Sequence, residues 1–122
     1  VAFLGVTFKP NTDDLRESPS LVIISKLIAE GAKVHAHDPA FNKSFENTKE
    51  FKKVFWHKSV SDAIDGADIL IVHTEWNEYR ALDLALTKKL LNNPIIVDFR
   101  NIFNIKDLKD FGFKYSRIGL KT

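Results

Sequence analysis

Short apolar runs alternate with segments that carry helix-capping residues, and this alternation constrains the fold more than any other feature. The runs lie at residues 1–6, 33–37, 54–56, 68–73, 95–98 and 113–118. Helices are predicted after the capping residues Ser18, Ser59, Asp83 and Asn104. Strands separated by helices favour a mainly parallel sheet with helices on both faces. The sequence therefore predicts an α/β fold, a Rossmann-like three-layer sandwich with five or six strands.

Local signals mark the ends of the predicted helices and the segments between them. Pro19 suits the first position of the first helix, because that position needs no N–H group. Helix ends are predicted at Gly31, Gly66, Asn92-Asn93-Pro94 and Gly112. Residues 41–53 are polar with spaced phenylalanines, so we expect a variable surface excursion with one short helix. Residues 74–77 are predicted to be a loop.

Composition and charge exclude several classes of protein. The chain has 122 residues, which favours a single domain spanning residues 1–122. Its 18 basic and 16 acidic residues give a net charge of +2, so we expect neither a nucleic-acid partner nor a membrane partner. Without cysteine there is no thiolate nucleophile or zinc-thiolate site in the chain. Because the first residues read as a strand, we expect a piece of a larger protein.

The segment after the first run carries candidate ligand-binding residues. In open α/β sheets, ligands bind where strands end and helices begin. Lys9 could bind a phosphate there or pair with Asp13 or Asp14. Arg16 precedes the first helix, where the helix dipole favours anions, so it needs a partner such as a bound anion, an aspartate or a neighbouring domain. For Lys9 and for Arg16, the sequence does not decide between binding of a ligand and pairing within the protein.

A second arginine is predicted at the same edge of the sheet. Arg100 follows the run at 95–98, and Asp98 is expected to hold Arg100 or its backbone in place. Trp76 follows the run at 68–73 and either lines a ring-binding wall or packs in the core. Two cations from separate strand ends favour recognition of a phosphorylated ligand, since Arg and Lys both bind phosphate oxygens.

Other candidate motifs are weaker. The first strand lacks the G-x-G-x-x-G fingerprint of dinucleotide-binding folds, so Asp38 reads as a turn residue before Pro39 rather than as a ribose-binding acid. The histidines are His35, His37, His57 and His73. Their spacing predicts no metal site, and no metal ligand is assigned.

The residues resemble a known family, the nucleotide-sugar 6-dehydrogenases, along essentially the whole chain. The segments that carry the resemblance are residues 5–19 (GVTFKPNTDDLRESP), Asp38-Pro39, Ala67-Asp68, Thr74-Glu75-Trp76, Asp98-Phe99-Arg100-Asn101, Gly112-Phe113 and Ile118-Gly119. The resemblance implies the C-terminal, UDP-sugar-binding domain of an enzyme whose N-terminal domain binds NAD. Thr12 and residues 98–101 resemble the members that oxidise UDP-glucose more than those that use GDP-mannose or UDP-N-acetylmannosamine.

The resemblance also implies roles for individual residues. Phe8, Lys9 and Arg100 correspond to residues that bind the UDP-sugar, and Arg16 corresponds to an arginine that reaches the NAD cofactor. No catalytic residue is expected here, because the family's catalytic cysteine precedes this domain, and the chain alone should be inactive. The implied partners are UDP-glucose, the protein's own N-terminal domain and further copies in a homodimer or higher homo-oligomer. A cytoplasmic location follows from the NAD dependence.

Two readings outside this enzyme class remain open. Asp13-Asp14 after a first strand is also found in receiver domains of signalling proteins, but Asp68 begins its predicted strand, whereas a receiver needs an aspartate at a strand end. A non-catalytic nucleotide-binding module would share all the predicted features of the sheet edge. The sequence upstream of Val1 would separate these readings.

Overall fold

The computed structural model describes residues 1–117, and its centre is a six-stranded parallel sheet. The strands are β1 (Ala2–Leu4), β2 (His35–His37), β3 (Phe55–Trp56), β4 (Leu70–Val72), β5 (Ile95–Asp98) and β6 (Lys114–Arg117). They lie in the order β3-β2-β1-β4-β5-β6, and every neighbouring pair is parallel. This is the Rossmann order, so the predicted fold class is confirmed. The predicted last strand extends to Ile118, which lies outside the described residues, as does Gly119.

Helices connect the strands, and four of them follow the predicted capping residues. The α-helices are α1 (Pro19–Ala29), α2 (Lys43–Glu46), α3 (Val60–Ile64), α4 (Asn77–Arg80), α5 (Leu84–Leu90) and α6 (Ile105–Asp110), with a 3-10 turn at Lys49–Phe51. The side chains of Ser18, Ser59, Asp83 and Asn104 each accept a hydrogen bond from a first-turn N–H group, as predicted. No helix within residues 1–117 is long and apolar enough to cross a membrane.

Two apolar clusters cover the two faces of the sheet. Successive strand residues point to opposite faces, so Leu4 and Val72 join one cluster whereas Phe3 and Ile71 join the other. The first cluster receives residues of α3 and α6, and the second receives Ile24 of α1. Helices therefore lie on both faces, which makes three layers.

The structure corrects two expectations about the connecting segments. Residues 41–53 are not a surface excursion, because Phe45 and Phe51 are fully buried in the second cluster. The loop expected at 74–77 ends in helix α4, which has no capping side chain. Helix α4 is held by Tyr79, whose ring is buried and whose hydroxyl donates to the carbonyl oxygen of His37 at 2.9 Å.

Candidate functional site

The candidate site lies at the carboxyl edge, the edge of the sheet where β1, β4 and β5 end. Strand β1 pairs with β2 on one side and with β4 on the other, so the strand order reverses beside it. Crevices in such sheets form at this reversal point, outside the carboxyl ends of the strands. The connection from β1 to α1, residues 5–18, is called the β1 loop below.

Gly5 lets the chain leave β1 close to β4. Its φ is +83°, and a Cβ atom built on it would lie 2.5 Å from the Cβ atom of Thr74. Any other residue would therefore clash and be strained in this conformation. The Thr74 hydroxyl uses this close approach to donate to the carbonyl oxygen of Thr7 at 2.8 Å. The β1 loop is thus attached to the end of β4.

Val6 is held at both polar groups of its backbone. Its N–H group donates to Oδ2 of Asp38, at the end of β2, at 2.8 Å. Its carbonyl oxygen accepts from the hydroxyls of Ser18 and Ser20, at 2.7 and 2.6 Å. Asp38 and both serines are buried. Strand β2 and helix α1 therefore hold the backbone just before the candidate residues.

Arg100 joins three strand ends at the carboxyl edge. Its Nε donates to the carbonyl oxygen of His73 at 2.8 Å, and its Nη2 donates to the carbonyl oxygen of Phe8 at 3.0 Å. Glu75 lies 3.9 Å from the same Nε. Asp98 accepts from the backbone N–H of Arg100 at 3.1 Å, which confirms its expected holding role. The predicted meeting of Arg100 with the Phe8-Lys9 segment is confirmed.

Phe8 and Lys9 lie at the exposed tip of this arrangement. Phe8 is 49% exposed, although its carbonyl oxygen accepts a hydrogen bond from Arg100. The Lys9 side chain is exposed and forms no ion pair within residues 1–117, so the alternative pairing with Asp13 or Asp14 is not found. The Lys9 carbonyl oxygen accepts from the Thr7 hydroxyl at 2.9 Å. The backbone of Lys9 is thus fixed, whereas its ammonium group attracts Asp14 only at longer range and forms no salt bridge within residues 1–117.

Arg16 pairs with Asp14 in a two-point contact. Its Nε and Nη2 donate to the two carboxylate oxygens of Asp14 at 3.0 and 2.9 Å. This contact lowers the pKa of Asp14 to about 2. The predicted aspartate partner is therefore present. The Arg16 side chain is nevertheless 89% exposed, so its outer nitrogen can still reach a further anion.

Asp38 has a larger role than the predicted turn residue. Its Oδ1 accepts from the Ala40 N–H at 2.8 Å, which is the expected turn contact, but its Oδ2 holds Val6 of the β1 loop. Burial raises the pKa of this carboxyl, while its backbone hydrogen bonds oppose the rise. The carboxylate faces inward, so it does not take the position of a ribose-binding acid. No local signal in the sequence indicates this contact, because Val6 and Asp38 lie 32 positions apart.

The histidines serve as packing and hydrogen-bonding groups. His35 pairs with His57 at 2.8 Å between ring nitrogens, and His37 pairs with the Tyr79 hydroxyl at 2.9 Å. Among residues 1–117, no three His, Asp or Glu side chains are grouped to hold a metal ion. Burial lowers the pKa of His73, beneath the β1 loop, to about 4.

Trp76 packs against the first apolar cluster, which matches the core-packing alternative.

Comparisons with known proteins agree with this architecture. The family model described as the UDP binding domain of the UDP-glucose/GDP-mannose dehydrogenase family matches residues 2–105. The chain is 39% identical over 120 residues to the UDP-glucose 6-dehydrogenase of Rhizobium meliloti, covering 98% of this chain and 27% of that protein. The corresponding enzyme of Pseudomonas aeruginosa is 37% identical, with the same coverage.

Solved structures show the same relationship. An NDP-N-acetyl-D-galactosaminuronic acid dehydrogenase from Methanosarcina mazei has a TM-score of 0.82 and 28% identity, covering 97% of this chain and 24% of that one. A UDP-glucose dehydrogenase from Pyrobaculum islandicum has a TM-score of 0.71 and 27% identity, covering 93% and 24%. The chain thus spans about a quarter of the length of these proteins. It belongs to the UDP-glucose/GDP-mannose dehydrogenase family and corresponds to its UDP binding domain.

Proposed function

We propose that this chain is the nucleotide-sugar-binding domain of an NAD-dependent UDP-glucose 6-dehydrogenase, an enzyme that oxidises UDP-glucose to UDP-glucuronate in two hydride transfers. Two of its relatives, from Rhizobium meliloti and Pseudomonas aeruginosa, carry this enzyme name. The observation that carries the proposal is the hydrogen bond from Arg100 to the carbonyl oxygen of Phe8, because it places two cations at one sheet edge.

The diphosphate of the substrate fits the uncommitted donors at this edge. The ammonium of Lys9 forms no salt bridge within residues 1–117, so it can bind a phosphate oxygen without breaking one. Arg100 commits Nε and Nη2 to backbone carbonyls and leaves Nη1 for the ligand. The exposed ring of Phe8 can cover an apolar face of the nucleotide sugar. Charge-assisted hydrogen bonds of this kind are among the stronger ones in proteins.

We assign Arg16 to contact with NAD, which accepts the hydride in this reaction and is bound mainly by the N-terminal domain. The exposed guanidinium is held by Asp14 on one side, which directs its remaining nitrogen outward. No thiol exists in the chain, so the catalytic cysteine must come from elsewhere in the full-length protein. This domain alone would be inactive. We also propose that the full-length protein forms a homodimer or higher homo-oligomer in the cytoplasm.

A second candidate is a dehydrogenase for another nucleotide sugar. The Methanosarcina mazei structure, which matches the fold at a TM-score of 0.82, is named for an N-acetylated sugar acid. The family model also names GDP-mannose, and a UDP-N-acetylmannosamine dehydrogenase from Pyrococcus horikoshii has the same fold at a TM-score of 0.73, so these two are the competing substrates. A non-catalytic nucleotide-binding module would require that the full-length protein bind UDP without reducing NAD.

Steady-state kinetics of the full-length protein test the proposal. Lys9→Ala and Arg100→Ala should each raise KM for UDP-glucose about tenfold to a hundredfold, the worth of a charged hydrogen bond, with a small change in KM for NAD. Arg16→Ala should mainly raise KM for NAD. Lys53→Ala is the matched control, because Lys53 is an exposed lysine without an ion pair that precedes β3 at the opposite edge.

Each outcome has a distinct meaning. A reversed pattern, in which Arg16→Ala affects UDP-glucose and Lys9→Ala affects NAD, would refute the residue assignments. Turnover of UDP-N-acetylmannosamine or GDP-mannose instead of UDP-glucose would support the second candidate. UDP binding without any NAD reduction would support the non-catalytic module.

A further inference from the structure

The backbone leading to Lys9 is held at Val6, Thr7 and Phe8 by hydrogen bonds, most of them to residues outside the β1 loop. Asp38 and two serines hold Val6, Thr74 holds the carbonyl oxygen of Thr7, and Arg100 holds that of Phe8. The Phe8 N–H also donates to the carbonyl oxygen of Asp14, although this bond is long at 3.4 Å. Only Thr7 and Phe8 lie between Val6 and Lys9, so a backbone shift at Val6 would also move the backbone of Lys9.

Asp38 is the only acidic group among these tethers, and its charge should disfavour a bound phosphate. The side chain is 4% exposed and lies at the same sheet edge as Lys9. A buried carboxylate costs free energy unless hydrogen bonds compensate it. Here both oxygens accept backbone N–H groups, from Val6 and Ala40, each at 2.8 Å.

Only a carboxylate can make both contacts of Asp38. A carboxylate offers two acceptor oxygens, whereas an amide of the same shape offers one oxygen and one NH2 group. In an Asp38→Asn variant, the NH2 group would face either the Val6 N–H or the Ala40 N–H, so one donor would lose its partner. The backbone at Val6 or at the Ala40 turn would have to move.

We propose that Asp38 is a positioning residue for nucleotide binding, whose buried carboxylate fixes the backbone from which Lys9 reaches the diphosphate. This inference rests on the function proposed above. In dinucleotide-binding Rossmann sheets, an acidic residue at this place binds a ribose hydroxyl. Asp38 instead binds the protein's own backbone.

The positioning role and a purely electrostatic role predict opposite changes in UDP affinity for Asp38→Asn. If Asp38 acted only through its charge, Asp38→Asn would remove a repulsion and tighten UDP binding. If Asp38 positions Lys9, the same variant should weaken UDP binding about tenfold and raise KM for UDP-glucose, while kcat changes less. Calorimetry with UDP and steady-state kinetics on the full-length protein measure both.

A double-mutant cycle with Lys9 tests whether Asp38 acts through that residue. In the Lys9→Ala background, Asp38→Asn should change UDP affinity less than twofold, because the group it positions is gone. Asp83→Asn is the matched control. Asp83 accepts the Leu86 N–H at the start of α5, and α5 packs against the first apolar cluster away from the β1 loop. That variant should leave UDP affinity unchanged in both backgrounds.

The outcomes separate failure of this inference from failure of the proposed function. Unchanged or tighter UDP binding by Asp38→Asn, or an equal loss in the Lys9→Ala background, would overturn the positioning role alone. A wild-type protein that binds no UDP would refute the proposed function and this inference together. If Asp38→Asn does not fold, Ser20→Ala replaces it, since Ser18 still holds Val6. Ser20→Ala should weaken UDP binding severalfold, and only when Lys9 is present.

Discussion

The β1 loop and the segment at residues 41–53 are both polar in sequence and both follow a strand at the carboxyl edge, yet they are held differently. Side chains that follow β2, β4 and β5, and Ser20 of α1, form hydrogen bonds that hold individual backbone atoms of the β1 loop. Residues 41–53 are held by the buried rings of Phe45 and Phe51, which pack around Trp56. Hydrogen bonds are directional and set atomic positions, whereas apolar burial is not directional.

The two kinds of contact indicate different roles for the two segments. Under the proposed function, the fixed backbone presents Lys9 to the nucleotide, so changes in the β1 loop should alter binding as well as stability. Apolar anchoring at residues 41–53 only closes one face of the sheet, so changes there should alter stability alone. The predictions below can break or refine this division.

The largest effect is expected at Phe45. Phe45→Ala should lower the free energy of unfolding by about 3–5 kcal/mol, because it leaves a cavity in a fully buried cluster. UDP affinity of the protein that remains folded should stay unchanged. Urea unfolding and calorimetry below the transition measure the two quantities. A clear loss of UDP affinity with little loss of stability would break the division.

Acidification is expected to lower the free energy of unfolding by about 3 kcal/mol through protonation of His73. Burial lowers its pKa from 6.5 to about 4, so the stability from its neutral ring is complete above pH 6.5 and is lost as the pH falls toward 4. Burial also lowers the pKa of His37, which acts in the same direction. In urea unfolding at several pH values, His73→Phe should lose less stability on acidification than the wild type. Equal slopes for both proteins would contradict this explanation.

A smaller effect, about 1–2 kcal/mol, is expected from the Thr74 hydroxyl. Thr74→Val removes the bond to the Thr7 carbonyl oxygen in the β1 loop and should lower both stability and UDP affinity. Thr87→Val is the matched control, because the buried Thr87 hydroxyl donates to the Asp83 carbonyl oxygen at the same 2.8 Å, in helix α5. It should lower stability only. Loss of UDP affinity in both variants would show that stability, not backbone position, controls binding.

The smallest effect concerns the exposed pair at the end of the β1 loop. Arg16→Ala should return the pKa of Asp14 from about 2 toward its ordinary value of 3.8, because the guanidinium contact is the main cause of the shift. Titration of the side-chain carboxyl by carbon NMR measures this pKa. An unchanged pKa would mean that Arg16 does not rest on Asp14 in solution.

Much of this arrangement could be predicted from local sequence, because capping residues, glycines and apolar runs act over a few positions. Strand order then placed Arg100 beside the Phe8-Lys9 segment. The role of Asp38 could not be predicted, since its bond to Val6 joins residues 32 positions apart. Phe45 was missed because helix α2 has only four residues and shows no periodicity.

A crystal structure of the full-length protein with UDP bound tests the central claim most directly. The account predicts that phosphate oxygens lie within hydrogen-bonding distance, about 3 Å, of the Lys9 ammonium and the outer nitrogen of Arg100. The Asp38 carboxylate should still hold Val6 beneath them. A diphosphate bound elsewhere, for example against Lys52 and Lys53 at the opposite edge of the sheet, would contradict it.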